Sequence, residues 1–383
     1  MLAALALALP WIVVPAVVLW RVSRSRYLSE DADTPPDDAP LVTVIVPARD
    51  EAHHITACLE SILSSTWPRL EVIAVDDASR DGTGDLARAV AARDPRLRVM
   101  GTSPLPADWF GKQWACATAA QEAGGTILLF ADADTRHAPD LITRAVRHMR
   151  RCEYDLMSVA GHQELPTFWE RVTMPLVFGV LIARLGGTEH LSAATRAEDT
   201  IANGQCLLIT RAAYDAAGGH AAVRHNVAED LLLAQVVFRS GGHVGMVVGL
   251  DQLSTRMYGS LGEMVRGWRK NVYAGGRYAV PAWMRHPVVF GPLLLMPSLF
   301  LLAPAVVALL GAVGAAPPVL GWAGLFAWLA MSAWLVVAYR WVRLPVWTGL
   351  LHPIGAAVMC WIFAGAITQG RNVEWKGRAY TSS

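Results

Sequence analysis

Charge is scarce in this chain, and most of it lies in one block. Only 17% of the 383 residues are charged, against about 25% in an ordinary soluble protein. Residues 1–20 carry no charged side chain, and residues 287–368 carry only Arg340 and Arg343. Within residues 21–286 the charged share rises to about 22%, a normal soluble value. That distribution argues against an all-soluble protein and equally against a bare bundle of membrane helices. The net charge is only +1, so the basic excess that a nucleic-acid partner requires is missing. Cysteine is scarce too. Cys58, Cys116, Cys152, Cys206 and Cys360 lie far apart, with no C-x-x-C pair and no zinc spacing. Reduced, mostly buried thiols in a cytosol-facing domain are expected.

The apolar runs set the organisation. Residues 2–20 are long enough to cross a hydrocarbon core of roughly 30 Å at about 1.5 Å per residue. Neither a basic n-region nor a small-residue cleavage pattern accompanies them, so 1–20 reads as a transmembrane anchor rather than a cleaved leader. Arg21, Arg24 and Arg26 follow, and the positive-inside bias places the next segment in the cytoplasm, beneath a bacterial-type inner membrane. Residues 21–40, basic and then acidic with prolines, read as a linker. A soluble domain is expected over 41–286, membrane segments over 287–368 and a basic tail over 369–383. The membrane segments resolve into stretches at about 287–314, 319–339 and 344–368. The last either crosses, leaving Arg371, Lys376 and Arg378 outside, or is broken at Pro353 into a re-entrant hairpin that keeps them inside. Residues 172–185 are apolar, interrupted by Pro175 and flanked by Glu170, Arg171 and Arg184. They read as an interfacial or re-entrant helix, with a buried core helix as the alternative.

Between 41 and 150 strands and helices alternate. Apolar runs at 41–47, 70–75, 97–100 and 126–131 read as strands, separated by helices near 52–65, 83–93, 112–123 and 138–150. This rhythm predicts an α/β domain with a mostly parallel sheet and helices on both faces. Ligands of such sheets bind beyond the carboxyl ends of the strands, where this chain keeps its polar motifs. The first strand ends in Pro47-Ala48-Arg49-Asp50-Glu51, which alone would pass for a helix start. The second ends in Asp76-Asp77, a carboxylate pair able to accept from a nucleobase N–H or ribose hydroxyls, before a Ser/Asp/Gly turn. The fourth ends in Asp132-Ala133-Asp134, hard oxygen ligands for Mg²⁺ or Mn²⁺ with a diphosphate completing the shell.

Lys112 opens a predicted helix, where a cation and the helix N–H groups could meet a diphosphate; a solvated surface lysine is the plain alternative. Glu229-Asp230 precedes an apolar helix. The pair is either an N-cap or places Asp230 as a general base toward an acceptor hydroxyl. His220 and His225 lack a third ligand at metal spacing and read as polar loop residues. Arg256, Arg266, Trp268, Arg269, Lys270 and Asn271 surround an amphipathic helix at 260–275, suited to lipid headgroups or a sugar diphosphate.

Taken in order, VIVPARDE, VDDASRDGT, GKQWA, ADADT, GGH…AED and RGWRKN resemble the family 2 glycosyltransferases over roughly 41–275. Leu105-Pro106, Trp109, Gly111-Lys112 and the tail Trp375-Lys376-Gly377-Arg378 are similar to the membrane-bound hopene-associated and carotenoid-type members. The resemblance implies a GT-A fold, a nucleotide-diphosphate sugar as donor and a divalent metal. It gives Pro47, Arg49 and Asp77 to the base, Lys112 to the diphosphate, Asp132 and Asp134 to the metal with Asp134 the direct ligand, and Asp230 to base catalysis. One departure is clear. Processive polysaccharide synthases carry Q-x-x-R-W, whereas this chain reads Glu263-Met264-Val265-Arg266-Gly267-Trp268.

The expected function is inverting, metal-dependent sugar transfer to a hydroxyl of a membrane lipid, with 172–185 as the lipid's entry. The alternatives are transfer to polyprenyl phosphate, where a base is hardly required, or a non-catalytic scaffold retaining a nucleotide-sugar-binding domain. A nucleotidyltransferase would need a glycine-rich phosphate loop after the first strand, and PARDE provides none.

Overall fold

The computed structural model describes residues 1–375 and 378–381; Lys376 and Gly377 of the tail motif lie outside the described residues. The chain divides into two compact units, one of Met1–Arg24, Leu165–Gly187 and Tyr258–Gly370, the other of Ser25–Glu164, Thr188–Met257 and the C-terminal residues from Arg371.

The second unit is built on an eight-stranded sheet. Its strands are β1 (Val42–Ala48), β2 (Leu70–Asp76), β3 (Leu97–Gly101), β4 (Ile127–Ala131), β5 (Thr135–His137), β6 (Leu156–Gln163), β7 (Cys206–Thr210) and β8 (Val244–Thr255). They lie in the order β3-β2-β1-β4-β7-β6-β8-β5. Alternation across the pleat explains why the central strands are apolar throughout. In β1, Val42, Val44 and Val46 join one buried cluster and Ile45 the other; in β4, Ile127 and Leu129 face one way, Leu128 and Phe130 the opposite. The pairings β1–β2, β2–β3, β1–β4 and β6–β8 are parallel, as expected. β7 runs antiparallel to both β4 and β6, and β5 to β8, so the sheet is mixed beyond β4. The expected helices are present with shifted ends, as Ile55–Leu63, Thr83–Ala91, Gly111–Glu122 and Leu141–Arg151.

Part of the expected linker packs within this unit: Leu28 is fully buried, and Asp31 holds His148 at 2.7 Å and Arg151 at 3.1 Å. The five cysteines are unpaired, and Cys58, Cys116 and Cys206 are buried.

The first unit is helical. Among the described residues four helices are long and apolar enough to cross a membrane, Leu2–Val22, Pro287–Ala312, Pro318–Trp341 and Val346–Gln369. Trp11 stacks on Phe300 at 4.9 Å and donates its indole N–H to the Phe300 carbonyl. Pro353 falls in the first turn of the helix His352–Gln369, where its missing N–H costs nothing, so it starts that helix instead of breaking it into a hairpin. Pro175 does not interrupt its segment either. The helix Phe168–Leu185 runs through it, opened by a Thr167/Glu170 capping box and held by apolar burial that offsets the one lost backbone bond.

This helix meets the last one at a glycine. A Cβ on Gly355 would lie 1.8 Å from the Val172 carbonyl oxygen, a backbone atom with no rotamer to retreat into. Gly355→Ala is therefore expected to cost about 1–3 kcal/mol and lower the melting temperature in detergent, read by intrinsic fluorescence.

Candidate active site

β1 and β2 end side by side, with Pro47 opposite Val75 and Ala48 opposite Asp76. The loops that leave them are pinned in a conformation few residues adopt: Asp50 has φ 52° and Ala78 φ 54°. Side chains hold them there. The Asp50 N–H donates to Ser79 Oγ at 3.0 Å, the Arg80 N–H to Asp50 Oδ1 at 2.8 Å and the Ser79 N–H to Asp76 Oδ1 at 3.0 Å. Asp76 is thus spent on the turn, and of the expected carboxylate pair Asp77 remains for other partners. It is 2% exposed. Arg49 donates to the Asp77 carbonyl at 2.5 Å and lies 3.8 Å from Oδ2, while Thr102 donates to Oδ1 at 3.2 Å. Pro47, Arg49 and Asp77 therefore form one cluster at the strand ends.

Lys112 stands in the first turn of Gly111–Glu122, Asp132 directly after β4, and Glu229 and Asp230 at the start of the helix Glu229–Arg239. Three remote stretches meet at one ammonium. Lys112 Nζ is 2.7 Å from Asp132 Oδ1 and 2.6 Å from Glu229 Oε1. Burial works against its charge, but the carboxylates of Asp132, Glu229 and Asp230 hold its pKa well above the usual lysine value. Lys112, Asp132, Glu229 and Asp230 line a single pocket with Pro47 and Gly204. Lys112 is thus neither a solvated surface lysine nor alone. Glu229, its second partner, was missed by sequence reasoning, which had no local signal for a contact between residues so far apart.

Asp230 is the second residue of its helix rather than the cap, which is Ala228. Its Oδ2 accepts from the Gly204 N–H at 2.7 Å and its Oδ1 from the Leu231 N–H at 2.8 Å. Burial, reinforced by Glu229, pushes its carboxyl up to about 6, against the opposing pull of Lys112 and the two N–H donors. That places it within reach of neutral-pH proton transfer. His220 faces the same pocket, but its Nδ1 is bonded to the Tyr214 hydroxyl at 2.9 Å and burial lowers it to about 3. It sits buried in the short 3₁₀ turn Gly219–Val223, packed against Tyr214, rather than in an open polar loop.

Asp134 differs from its neighbours. Its Oδ1 is buried without a hydrogen-bond partner, and burial together with the charges of Asp132 and Glu51 raises its pKa to about 8. Among the described residues no three His, Cys, Asp or Glu side chains cluster closely enough to hold a metal by themselves. The donor set still fits a divalent cation shared with a phosphate ligand. Two hard carboxylates stand one residue apart, and the orphaned oxygen of Asp134 lies in a field that a cation would relieve.

Residues 43–217 match the family model described as Glycosyl transferase family 2. The chain is 26% identical over 265 residues to the 4,4'-diaponeurosporenoate glycosyltransferase of Staphylococcus haemolyticus, covering 68% of each chain. It is 32% identical over 127 residues to glycosyltransferase AglE of Haloferax volcanii, 33% of this chain but only 40% of that one. Among solved structures it resembles the mannosyltransferase PcManGT of Pyrobaculum calidifontis in complex with GDP-Man and Mn²⁺. The TM-score is 0.57 at 23% identity, covering 94% of this chain and 98% of that one.

Proposed function

We propose that this chain, whose residues 43–217 match the Glycosyl transferase family 2 model and whose fold resembles a GT-A enzyme, moves a sugar from a nucleotide-diphosphate donor to a hydroxyl of a membrane lipid, with inversion. One observation supports this above others: Lys112, Asp132, Glu229 and Asp230, drawn from three separate stretches, line one pocket at the carboxyl ends of the strands. In an enzyme of this kind the base end of the donor falls to Pro47, Arg49 and Asp77, and the diphosphate to Lys112. Asp132 and Asp134 would hold a divalent cation, which supplies positive charge against the departing diphosphate.

The chain's own residues do the rest. Asp230 Oδ takes the proton from the acceptor hydroxyl as that oxygen attacks the anomeric carbon. The bond from that carbon to the diphosphate breaks on the opposite face, and the nucleoside diphosphate leaves with the bonding pair. The Gly204 and Leu231 N–H groups fix the orientation of the Asp230 carboxylate before the acceptor arrives. Lys112, already held by Asp132 and Glu229, provides a fixed cation for the leaving group without reorganisation. A lipid acceptor is supported by the four helices apolar enough to cross a membrane, and by a relative named for 4,4'-diaponeurosporenoate. An enzyme and acceptor confined to one bilayer need search only two dimensions.

The test is purified protein with Mn²⁺, a panel of nucleotide sugars and a bilayer-lipid extract, with products read by mass spectrometry. A new glycolipid and stoichiometric nucleoside diphosphate are expected; no transfer from any donor would sink the reading. The same assay carries a pH prediction. Asp230 works as the carboxylate, and its folded pKa lies near 6, above the ordinary 3.8. Turnover should therefore be full above pH 7, half-maximal near pH 6 and lost as pH falls further.

A further inference from the structure

We infer that Arg269 and Arg277, with a glycine notch at Gly365, form a binding site for the headgroup of an anionic phospholipid, built within the helical unit and apart from the transfer chemistry. That unit is strongly basic. It carries eleven Lys and Arg side chains against two carboxylates, Glu170 and Glu263, in a chain whose net charge is only +1. Both carboxylates are taken up by helix starts, Glu170 in the Thr167 capping box and Glu263 accepting the Gly259 N–H at 2.8 Å.

Two of the guanidiniums are half-buried with no anion of their own. On the helix Leu261–Tyr278, Arg269, Tyr273 and Arg277 follow at intervals of four and share one face. The Arg269 guanidinium stands 5.1 Å over the Trp361 ring and that of Arg277 6.0 Å over Tyr273. The Nε of each is buried without a hydrogen-bond partner, and among the described residues neither side chain pairs with a carboxylate. A ring face attracts a cation but leaves the N–H donors of its fork unspent. Such a charge is costly to bury, and an anion that supplies oxygen acceptors removes the cost.

The last helix is shaped around the first of these arginines. A Cβ on Gly365 would overlap the Arg269 guanidinium, so glycine lets the fork lie flat against His352–Gln369, one turn beyond Trp361. Gly365 lies about 6 Å from the end of the apolar span Val346–Gln369, at the depth where hydrocarbon gives way to headgroups. Trp361 is 53% exposed there, the placement an interfacial tryptophan favours. A planar fork held between two helices at this depth matches a lipid phosphate, whose oxygens accept in parallel. A choline headgroup would bring its own cation into a unit already basic, which selects for lipids of net negative charge.

Native mass spectrometry of the full chain in an uncharged detergent tests this, with phosphatidylglycerol and phosphatidylcholine offered at equal concentration. The wild type should retain phosphatidylglycerol about 10-fold or more over phosphatidylcholine, and Arg269→Gln or Arg277→Gln should each lower that retention about 10-fold. Gly365→Ala keeps every charge but fills the notch, and it should lose retention as Arg269→Gln does. Arg340→Gln, which removes an equal charge from an exposed position on another helix, should cost at most about 5-fold, the share of one cation near an anionic surface. A wild type that retained both lipids equally would overturn the inference, as would full retention by Gly365→Ala. Equal losses in Arg340→Gln and Arg269→Gln would show general charge attraction and overturn it too. So would displacement of the lipid by inorganic pyrophosphate, which would mark a site for free phosphate. None of these readouts involves sugar transfer, so each result leaves the transferase reading to its own test.

Discussion

Replacing Asp230 by asparagine is expected to lower turnover about 10²- to 10⁴-fold while the nucleotide donor binds as before. The substitution keeps shape and removes the proton acceptor. Both Asp230 oxygens accept backbone N–H groups, from Gly204 at 2.7 Å and Leu231 at 2.8 Å, and an amide can satisfy only one of them. A small stability loss of about 1 kcal/mol is therefore expected alongside, and thermal melting must accompany the kinetics. Donor binding should survive because Lys112 keeps its direct partners Asp132 and Glu229, and the base-end residues Arg49 and Asp77 belong to a separate cluster at the ends of β1 and β2. Single-turnover rates at saturating donor, with the nucleoside diphosphate Kd by calorimetry, separate the two effects. The acidic limb of the pH profile, set by a carboxyl raised to about 6, should disappear in the variant. Full turnover in the Asp230→Asn protein would remove Asp230 from catalysis and point to an acceptor that arrives already ionised, such as a polyprenyl phosphate.

Much of this was legible in the sequence because burial on both faces forces a strand to be apolar at every position. LVTVIVP, LEVIAV and TILLFA could be read as buried strands without knowing their neighbours, and the polar residues after the last two, Asp77, Asp132 and Asp134, stood out against that background. The antiparallel half of the sheet was less visible, since β7 and β8 are reached through long excursions rather than a βαβ rhythm. Pro175 misled because the rule for proline in a helix concerns one backbone bond, while capping and packing over the whole of Phe168–Leu185 decide whether the helix survives. Residue pattern alone did not separate Asp76 from Asp77; the loop's own hydrogen bonds do, with Asp76 accepting from the turn and Asp77 met by Arg49 and Thr102. The Lys112–Glu229 pair and the Arg378–Asp77 pair join residues over a hundred and three hundred positions apart. Nothing in local pattern encodes such meetings, which depend on where whole elements come to rest.

Asp134→Asn should separate function from stability. Removing the carboxylate is expected to weaken Mn²⁺-dependent binding of a nucleoside diphosphate about 10²-fold or more, and to lower turnover by about 10³-fold, several kcal/mol of transition-state charge stabilisation. The neighbouring Asp132 gives a milder comparison, because its Oδ1 is already engaged by Lys112 at 2.7 Å, whereas Asp134 Oδ1 is buried without a hydrogen-bond partner. The same burial, next to the charges of Asp132 and Glu51, makes an ionised Asp134 a liability to the protein when no cation offsets it. A neutral amide of the same shape relieves that repulsion. In chelator, Asp134→Asn is therefore expected to melt at a higher temperature than the wild type; with Mn²⁺ and nucleotide the order should reverse, since only the wild type gains from binding. Scanning calorimetry or fluorescence melting in the two buffers reads both signs on one pair of samples. A variant that melted lower in chelator would show that Asp134 is held by partners rather than poised for a cation. One that kept the Mn²⁺ response would place the metal elsewhere.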